Sequence, residues 1–474
     1  APLPQWLLEA KFGIYAHWGV YSVPAYKNEW YPKLMYVDES DVYEHHCQNY
    51  GDPAEFGYKE FIPCFTAENY DPEEWADIIK GAGAQYAGLA VVHHDGFCLW
   101  NSNATRWNSV DMGPGRDIYG ELVQSLRKRS LNTLATFHHL RTFNWFLPGV
   151  DSLGKVLDQE KLEAVNREGW DLSDPAYADL YWNELTGKYG DFLAEWKQKV
   201  MEVVDLYAPD ALWFDGGHFR DTEAEPDVKE ALTYYMNSVP DAAIMNKLPV
   251  SMKYNFPYEM GILTYEEGRD RGATVERPWI DDMKIGTPGW CYVKGQQYRS
   301  AHELLCGLVD RVSRGGGLIL NLSPYADGSF PEEQKQILQQ VGDWLKVNGE
   351  AIYGAETWRV HAEGDDARLI TGDEHPMWKF SDCNAQDIRF TAKGENLYLH
   401  VLGWPDNNKV TVESLRAGES PHEIRRIRFL QTGQTVEWER DETELTLYLT
   451  GISLQETILT FKIESSQIGV SNAR

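Results

Sequence analysis

Two textures of hydrophobic and polar positions divide the 474-residue chain. As far as about Trp358, short apolar runs alternate with stretches whose apolar residues recur every three to four positions. The runs predict strands over Phe12–Trp18, Tyr86–His93, Leu131–His138, Ala211–Asp215, Ala242–Asn246, Gly261–Tyr265 and Gly317–Leu322. Between them the periodic stretches, such as Pro72–Ala82, Ile118–Arg129, Phe192–Tyr207 and Glu303–Arg314, predict amphipathic helices. Strands that are apolar on both faces, each followed by a helix, belong to a parallel sheet covered on both sides. At this length the pattern predicts a (β/α)8-like barrel, with seven of its strands placed. The polar stretch Asp151–Tyr181 reads as a long irregular loop on the same face as any site, because it follows the third strand.

Beyond Trp358 the runs become short and alternating, over Asp387–Thr391, Asn396–Leu402, Lys409–Ser414, Glu423–Leu430, Thr435–Trp438, Glu444–Leu449 and Thr457–Lys462. Closely spaced Gly, Asp and Pro-Asp turns separate them, as in an antiparallel β-sandwich. The expected division is a barrel over residues 1–355 and a C-terminal β-sandwich domain over 356–474.

Composition narrows the functions open to such a fold. Hydrophobic residues make up 43% and charged residues 25%, which is globular rather than disordered. No apolar run reaches the roughly 18–20 residues of a membrane span. The opening Ala1-Pro2-Leu3-Pro4 has no basic start and no apolar stretch, so no leader is expected within this sequence. A net charge of −29 repels phosphates and argues against a nucleic-acid partner. The 18 Trp and 26 Tyr suit pyranose rings, apolar on one face and rimmed by hydroxyls, although a Trp-rich core explains them equally well. Six Cys without a CxxC pair or metal-like spacing read as free thiols with at most one or two bridges.

Catalytic groups of parallel barrels gather at the C-terminal ends of the strands. Those ends carry His17, His93-His94-Asp95, His138-His139, Asp215, Asn246 and Glu266-Glu267. Asp215 closes Leu212-Trp213-Phe214 and is followed by Gly216-Gly217, where a ligand can approach closely. Glu266 and Glu267 point opposite ways on a strand, so at most one faces the site. Two separated strand-end carboxylates are what glycoside hydrolysis requires, about 5–5.5 Å apart for retention and about 6.5–9.5 Å for inversion. Neutral imidazoles are suited to holding sugar hydroxyls. A metal is not expected, because adjacent strand positions diverge and no HxxxH spacing occurs. There is no GxSxG nucleophile elbow and no phosphate loop.

Taken together, these residues resemble the family 29 glycoside hydrolases, the α-L-fucosidases. The similarity runs through Lys11-Phe12-Gly13-Ile14-Tyr15-Ala16-His17-Trp18-Gly19 with Glu29-Trp30-Tyr31, and through His93-His94-Asp95-Gly96-Phe97-Cys98-Leu99-Trp100. It continues in Trp213-Phe214-Asp215-Gly216, in Arg314 to Pro324, and in Asn348-Gly349-Glu350-Ala351-Ile352-Tyr353. The resemblance implies a (β/α)8-like barrel with a C-terminal antiparallel β-sandwich and a retaining mechanism without cofactor or metal. Asp215 would be the nucleophile and Glu266 the acid/base. His17, Glu29, Trp30, His93 and His94 would line a fucose pocket, with Trp213 as a pocket aromatic and Trp290 as a wall near the sugar methyl.

The partner implied is a fucosylated oligosaccharide or glycan, met in a periplasmic or secreted setting. Three departures stand out, the first being the acid/base context Thr264-Tyr265-Glu266-Glu267-Gly268-Arg269, since that context varies within the family. Thr136-Phe137-His138-His139 lacks a Tyr that many members carry, so that His138 takes its place, and Asn246-Lys247-Leu248 stands where an Asn-Asp-Arg is usual. These last two motivate an alternative, an α-L-galactosidase acting on algal-type galactan oligosaccharides. A non-catalytic sugar-binding protein is the third reading.

Overall fold

The computed structural model describes residues 3–151, 154–215, 223–247, 261–267, 278–364, 383–418, 423–452 and 458–465. Gly216-Gly217, Leu248 and Gly268-Arg269, noted above, lie outside the described residues. Eight parallel strands close into a barrel: β1 (Phe12–Ala16), β2 (Tyr86–Val92), β3 (Asn132–Phe137), β4 (Ala211–Phe214), β5 (Ala243–Lys247), β6 (Ile262–Glu266), β7 (Trp279–Lys284) and β8 (Gly316–Leu322). Neighbours follow chain order around the ring, and β8 pairs with β1 to complete it.

Strand β7 is the one that the hydrophobic pattern conceals. Its Asp281 and Asp282 interrupt an apolar run, yet both are buried. Each has a partner, as a buried charge requires. Arg311 Nε donates to Asp281 at 2.8 Å, and the Tyr15 hydroxyl donates to Asp282 at 3.0 Å.

Tyr15, Tyr86, Trp213, Met245, Ile280 and Ile319 belong to the core cluster that fills the barrel interior. Gly13 makes room for one of them: a Cβ there would lie 2.2 Å from the Tyr86 ring. The short helix Gln5–Ala10 adds Leu7 and Ala10 to the same cluster. Outside the strands, helix α1 (Pro72–Gly81) starts where Asp71 accepts the Glu73 and Glu74 amides, with Pro72 at its first turn.

Residues 154–181 are not the irregular loop that the polarity of Asp151–Tyr181 suggests. Helix α2 (Gln159–Glu168) begins at the Asp158 cap, buries Leu162 and Val165, and ends at Gly169 with φ +71°. Only two apolar residues face inward, which is too few to stand out in so polar a stretch.

The C-terminal part is an antiparallel sandwich. A five-stranded sheet includes β9 (Glu356–Glu363) and β10 (Ile388–Lys393), and it faces a three-stranded sheet across one apolar core. The sandwich is joined to the barrel through helix α3 (Ala301–Ser313). There Asp310 accepts from Arg389 of β10 at 2.7 Å, from Arg311 at 2.6 Å and from Arg314 at 3.1 Å, all four side chains being buried. Burial favours the neutral acid, but Arg389, Arg314 and Arg311 outweigh it and hold Asp310 far below the usual carboxylate range. Among the described residues, no helix is long and apolar enough to cross a membrane.

Candidate active site

The C-terminal ends of the barrel strands surround a cavity of about 770 Å³, within the size range of small-molecule sites. Asp215 follows β4, Lys247 ends β5, and Glu266 ends β6. Lys247 Nζ lies 3.0 Å from Asp215 Oδ2, 3.1 Å from Glu266 Oε2 and 3.9 Å from Asp282 Oδ2. The first two distances together limit the separation of the Asp215 and Glu266 oxygens to about 6 Å.

Their charges follow from this arrangement. Burial would raise the Asp215 pKa, but Lys247, His138 and Arg141 overcome it and hold the carboxyl well below its ordinary range. Burial would likewise discharge Lys247, but Asp215, Glu266 and Asp282 keep its ammonium protonated beyond the usual lysine value. Asp282 goes the other way: burial, only partly offset by Lys247, holds its carboxyl well above the ordinary range.

Glu267 is set apart from its neighbour by a turn of the backbone. Its φ of +49° is unusual for a residue with a Cβ. The turn points its carboxylate at Arg299, which donates at 3.1 and 2.7 Å, while the Lys284 amide donates at 3.0 Å. Glu267 therefore braces the rim, and Glu266 is the carboxylate beside Lys247.

Four imidazoles converge beside Asp215. The Asn321 amide nitrogen donates to the Trp290 carbonyl at 2.7 Å, so its oxygen faces His17 and accepts from Nδ1 at 2.7 Å. His17 thus carries its proton on Nδ1 and keeps Nε2 as an acceptor. His94 Nδ1 donates to the His138 carbonyl at 2.6 Å, with the same result. His138 Nε2 lies 3.4 Å from Asp215 Oδ2. Burial is the main cause that lowers the pKa of His17, His93, His94 and His138, leaving neutral rings at pH 7.

Aromatic residues complete the wall. Glu29 accepts the Trp290 amide at 2.9 Å, and burial raises its own pKa. The Trp290 ring lies 5.5 Å from Lys247 Nζ. Trp30 meets His94 edge-on and lies under Arg141.

Of the residues singled out in the sequence, His17, Glu29, Trp30, His93, His94, Asp215, Glu266 and Trp290 line the cavity. His138 and Trp213 are fully buried behind it. Trp213 lies in the barrel core, donating to Thr264 at 3.1 Å and packed edge-on against Tyr15. Sequence reasoning gave no site role to Lys247, Arg141, Asn321 or Asp282, although Lys247 stood out as a departure from the family pattern and Asn321 lay in one of the matching blocks.

Two strand-end carboxylates close together in a cavity rich in imidazole and tryptophan are the equipment of a glycoside hydrolase. Comparison with known proteins names the family. Residues 1–350 match the Alpha-L-fucosidase family and residues 381–464 match the Alpha-L-fucosidase C-terminal domain. The α-L-fucosidase of Branchiostoma floridae is 31% identical over 426 residues, covering 87% of this chain and 81% of that one. The plasma α-L-fucosidase of Homo sapiens is 30% identical over 453 residues, covering 92% and 83%. The solved structure of Thermotoga maritima α-fucosidase in complex with fucose is similar with a TM-score of 0.75 at 28% identity, covering 98% of this chain and 97% of that one. The chain belongs to the α-L-fucosidase family of glycoside hydrolases.

Proposed function

We propose that this protein removes terminal α-L-fucose from oligosaccharides or glycans with retention of configuration, Asp215 attacking the anomeric carbon and Glu266 acting as acid/base. The observation that carries this reading is the single ammonium of Lys247 touching both carboxylates. That contact keeps the facing oxygens of Asp215 and Glu266 within about 6 Å of each other, which suits a retaining pair. Lys247 and His138 keep Asp215 ionised, as a nucleophile requires. Protonated Glu266 gives its proton to the leaving oxygen while the Asp215 oxygen bonds to the sugar carbon. In the second step the Glu266 carboxylate takes a proton from the attacking water, whose oxygen bonds to the sugar carbon as the Asp215 oxygen leaves.

His17, His93 and His94 offer ring nitrogens to sugar hydroxyls from the cavity wall. Trp290 offers an apolar face to the methyl group, and Trp30 and Glu29 close the rim. The solved Thermotoga maritima relative, named as a complex with fucose, supports the substrate class. The relatives lend no support to the L-galactoside alternative. A periplasmic or secreted location suits glycans that lie outside the cell.

The test is hydrolysis of an aryl α-L-fucoside followed by NMR. α-L-Fucose is expected as the first product, and Asp215→Ala should lower kcat by at least about a thousandfold. β-L-Fucose as the first product, or an Asp215→Ala enzyme with wild-type rates, would overturn the assignment.

A further inference from the structure

Three imidazoles from three different strands meet at one point of this site. His17 follows β1, His93 follows β2 and His138 follows β3, and one ring nitrogen from each lies within 4.8 Å of the others. The divergence of adjacent strand residues still holds: His94 is not part of the group, and the companions of His93 come from other strands.

The distances can be compared with those around a metal ion. Zinc binds imidazole nitrogen at about 2.0–2.1 Å, which puts each ring centroid about 3.2 Å from the ion and tetrahedral centroids about 5 Å apart. The observed centroid separations are 5.3 Å for His17–His93, 5.0 Å for His17–His138 and 4.9 Å for His93–His138. Donor atoms around a bound ion are about 3.4 Å apart, so nitrogens that lie within 4.8 Å of one another would draw together on binding. His17 also has the outer support usual for a metal-binding histidine, since its other nitrogen donates to Asn321.

We propose that His17, His93 and His138, with a water as fourth ligand, form a site for a borderline divalent cation, Zn²⁺ foremost, and that the ion and the sugar exclude one another. Lys247 opposes the cation, but it has other partners. Its ammonium stays with Asp215 at 3.0 Å and Glu266 at 3.1 Å. Bound metal ties up the ring nitrogens of His17 and His93 that would hold sugar hydroxyls, so it inhibits. The exclusion clause rests on the fucosidase reading above, whereas metal binding does not.

Cobalt(II) and zinc titrations of the full chain test both parts. One cobalt per chain is expected, with the visible absorption of a four-coordinate ion, and zinc should displace it. His138→Phe and His93→Gln, each checked for folding by circular dichroism, should weaken binding roughly a hundredfold or more. Saturating L-fucose should bleach the cobalt band, and zinc should raise KM for an aryl fucoside without changing kcat. No heat and no cobalt band at millimolar metal, or unchanged binding in both folded variants, would overturn the site. A cobalt band that L-fucose leaves intact would overturn the exclusion. The cobalt readout needs no turnover, so it stands apart from any failure of the fucosidase assay.

Discussion

Lys247→Met keeps most of the side chain and removes the ammonium that lies 3.0 Å from Asp215 and 3.1 Å from Glu266. A charge pair at 3.0 Å is worth about 5.5 kcal/mol at an effective dielectric constant of about 20, and about 1.4 kcal/mol in water. Asp215 keeps 20% of its side-chain surface exposed, so an intermediate loss of about 3 kcal/mol is expected, which is about two pKa units. The native carboxyl is held well below its ordinary range, so the change is upward. The measurement is kcat/KM on an aryl α-L-fucoside across the acid range. The acid limb of the Lys247→Met profile should move up by about two units, with a loss of about a hundredfold between the two limbs. Lys247→Arg retains the charge and should leave the limb in place. A Lys247→Met limb within about half a unit of the wild type would refute the argument.

Two further predictions separate chemistry from support. Glu267→Ala leaves Arg299 buried without its carboxylate and should cost about 3–5 kcal/mol in urea unfolding, whereas Glu266→Gln should abolish turnover and leave stability nearly unchanged. Equal destabilisation by both would contradict the division of labour between them. Arg389→Met removes one cation from the Asp310 cluster and should cost a similar about 3–5 kcal/mol in thermal or urea unfolding. The folded pKa of Asp310 is depressed, so its contribution is complete above the ordinary carboxylate value and fades as pH falls below it. With one arginine fewer the depression is smaller, and acid unfolding of Arg389→Met should begin at a higher pH than in the wild type.

Seven barrel strands were legible because they are continuous apolar runs, and such runs have no other stable place than a sheet covered on both faces. The eighth was hidden because Asp281 and Asp282 look like surface residues until Arg311 and Tyr15 are seen beside them. Asp215 and the histidines were legible from their positions at strand ends. The choice between Glu266 and Glu267 was not, because it depends on Arg299, more than thirty residues along the chain, and on a left-handed backbone at Glu267. Lys247 read as a departure from a motif rather than as a site residue. Its role depends on which carboxylates the fold brings around it. Trp213 is a less direct case: the resemblance makes it a pocket aromatic, and strand alternation turns its ring into the core, 5.7 Å from Lys247 Nζ.

The arginine cluster bears on more than stability. From Arg389 in the sandwich, buried charges run through Asp310 and Arg311 to Asp281 in β7. The next residue of that strand is Asp282, which holds Tyr15 and lies within 3.9 Å of Lys247. The C-terminal domain is thus wired to the strand beside the one that ends in Glu266. A barrel cut off near residue 355 would lose the arginine at the far end of that wire, and the disturbance would surface at the sugar.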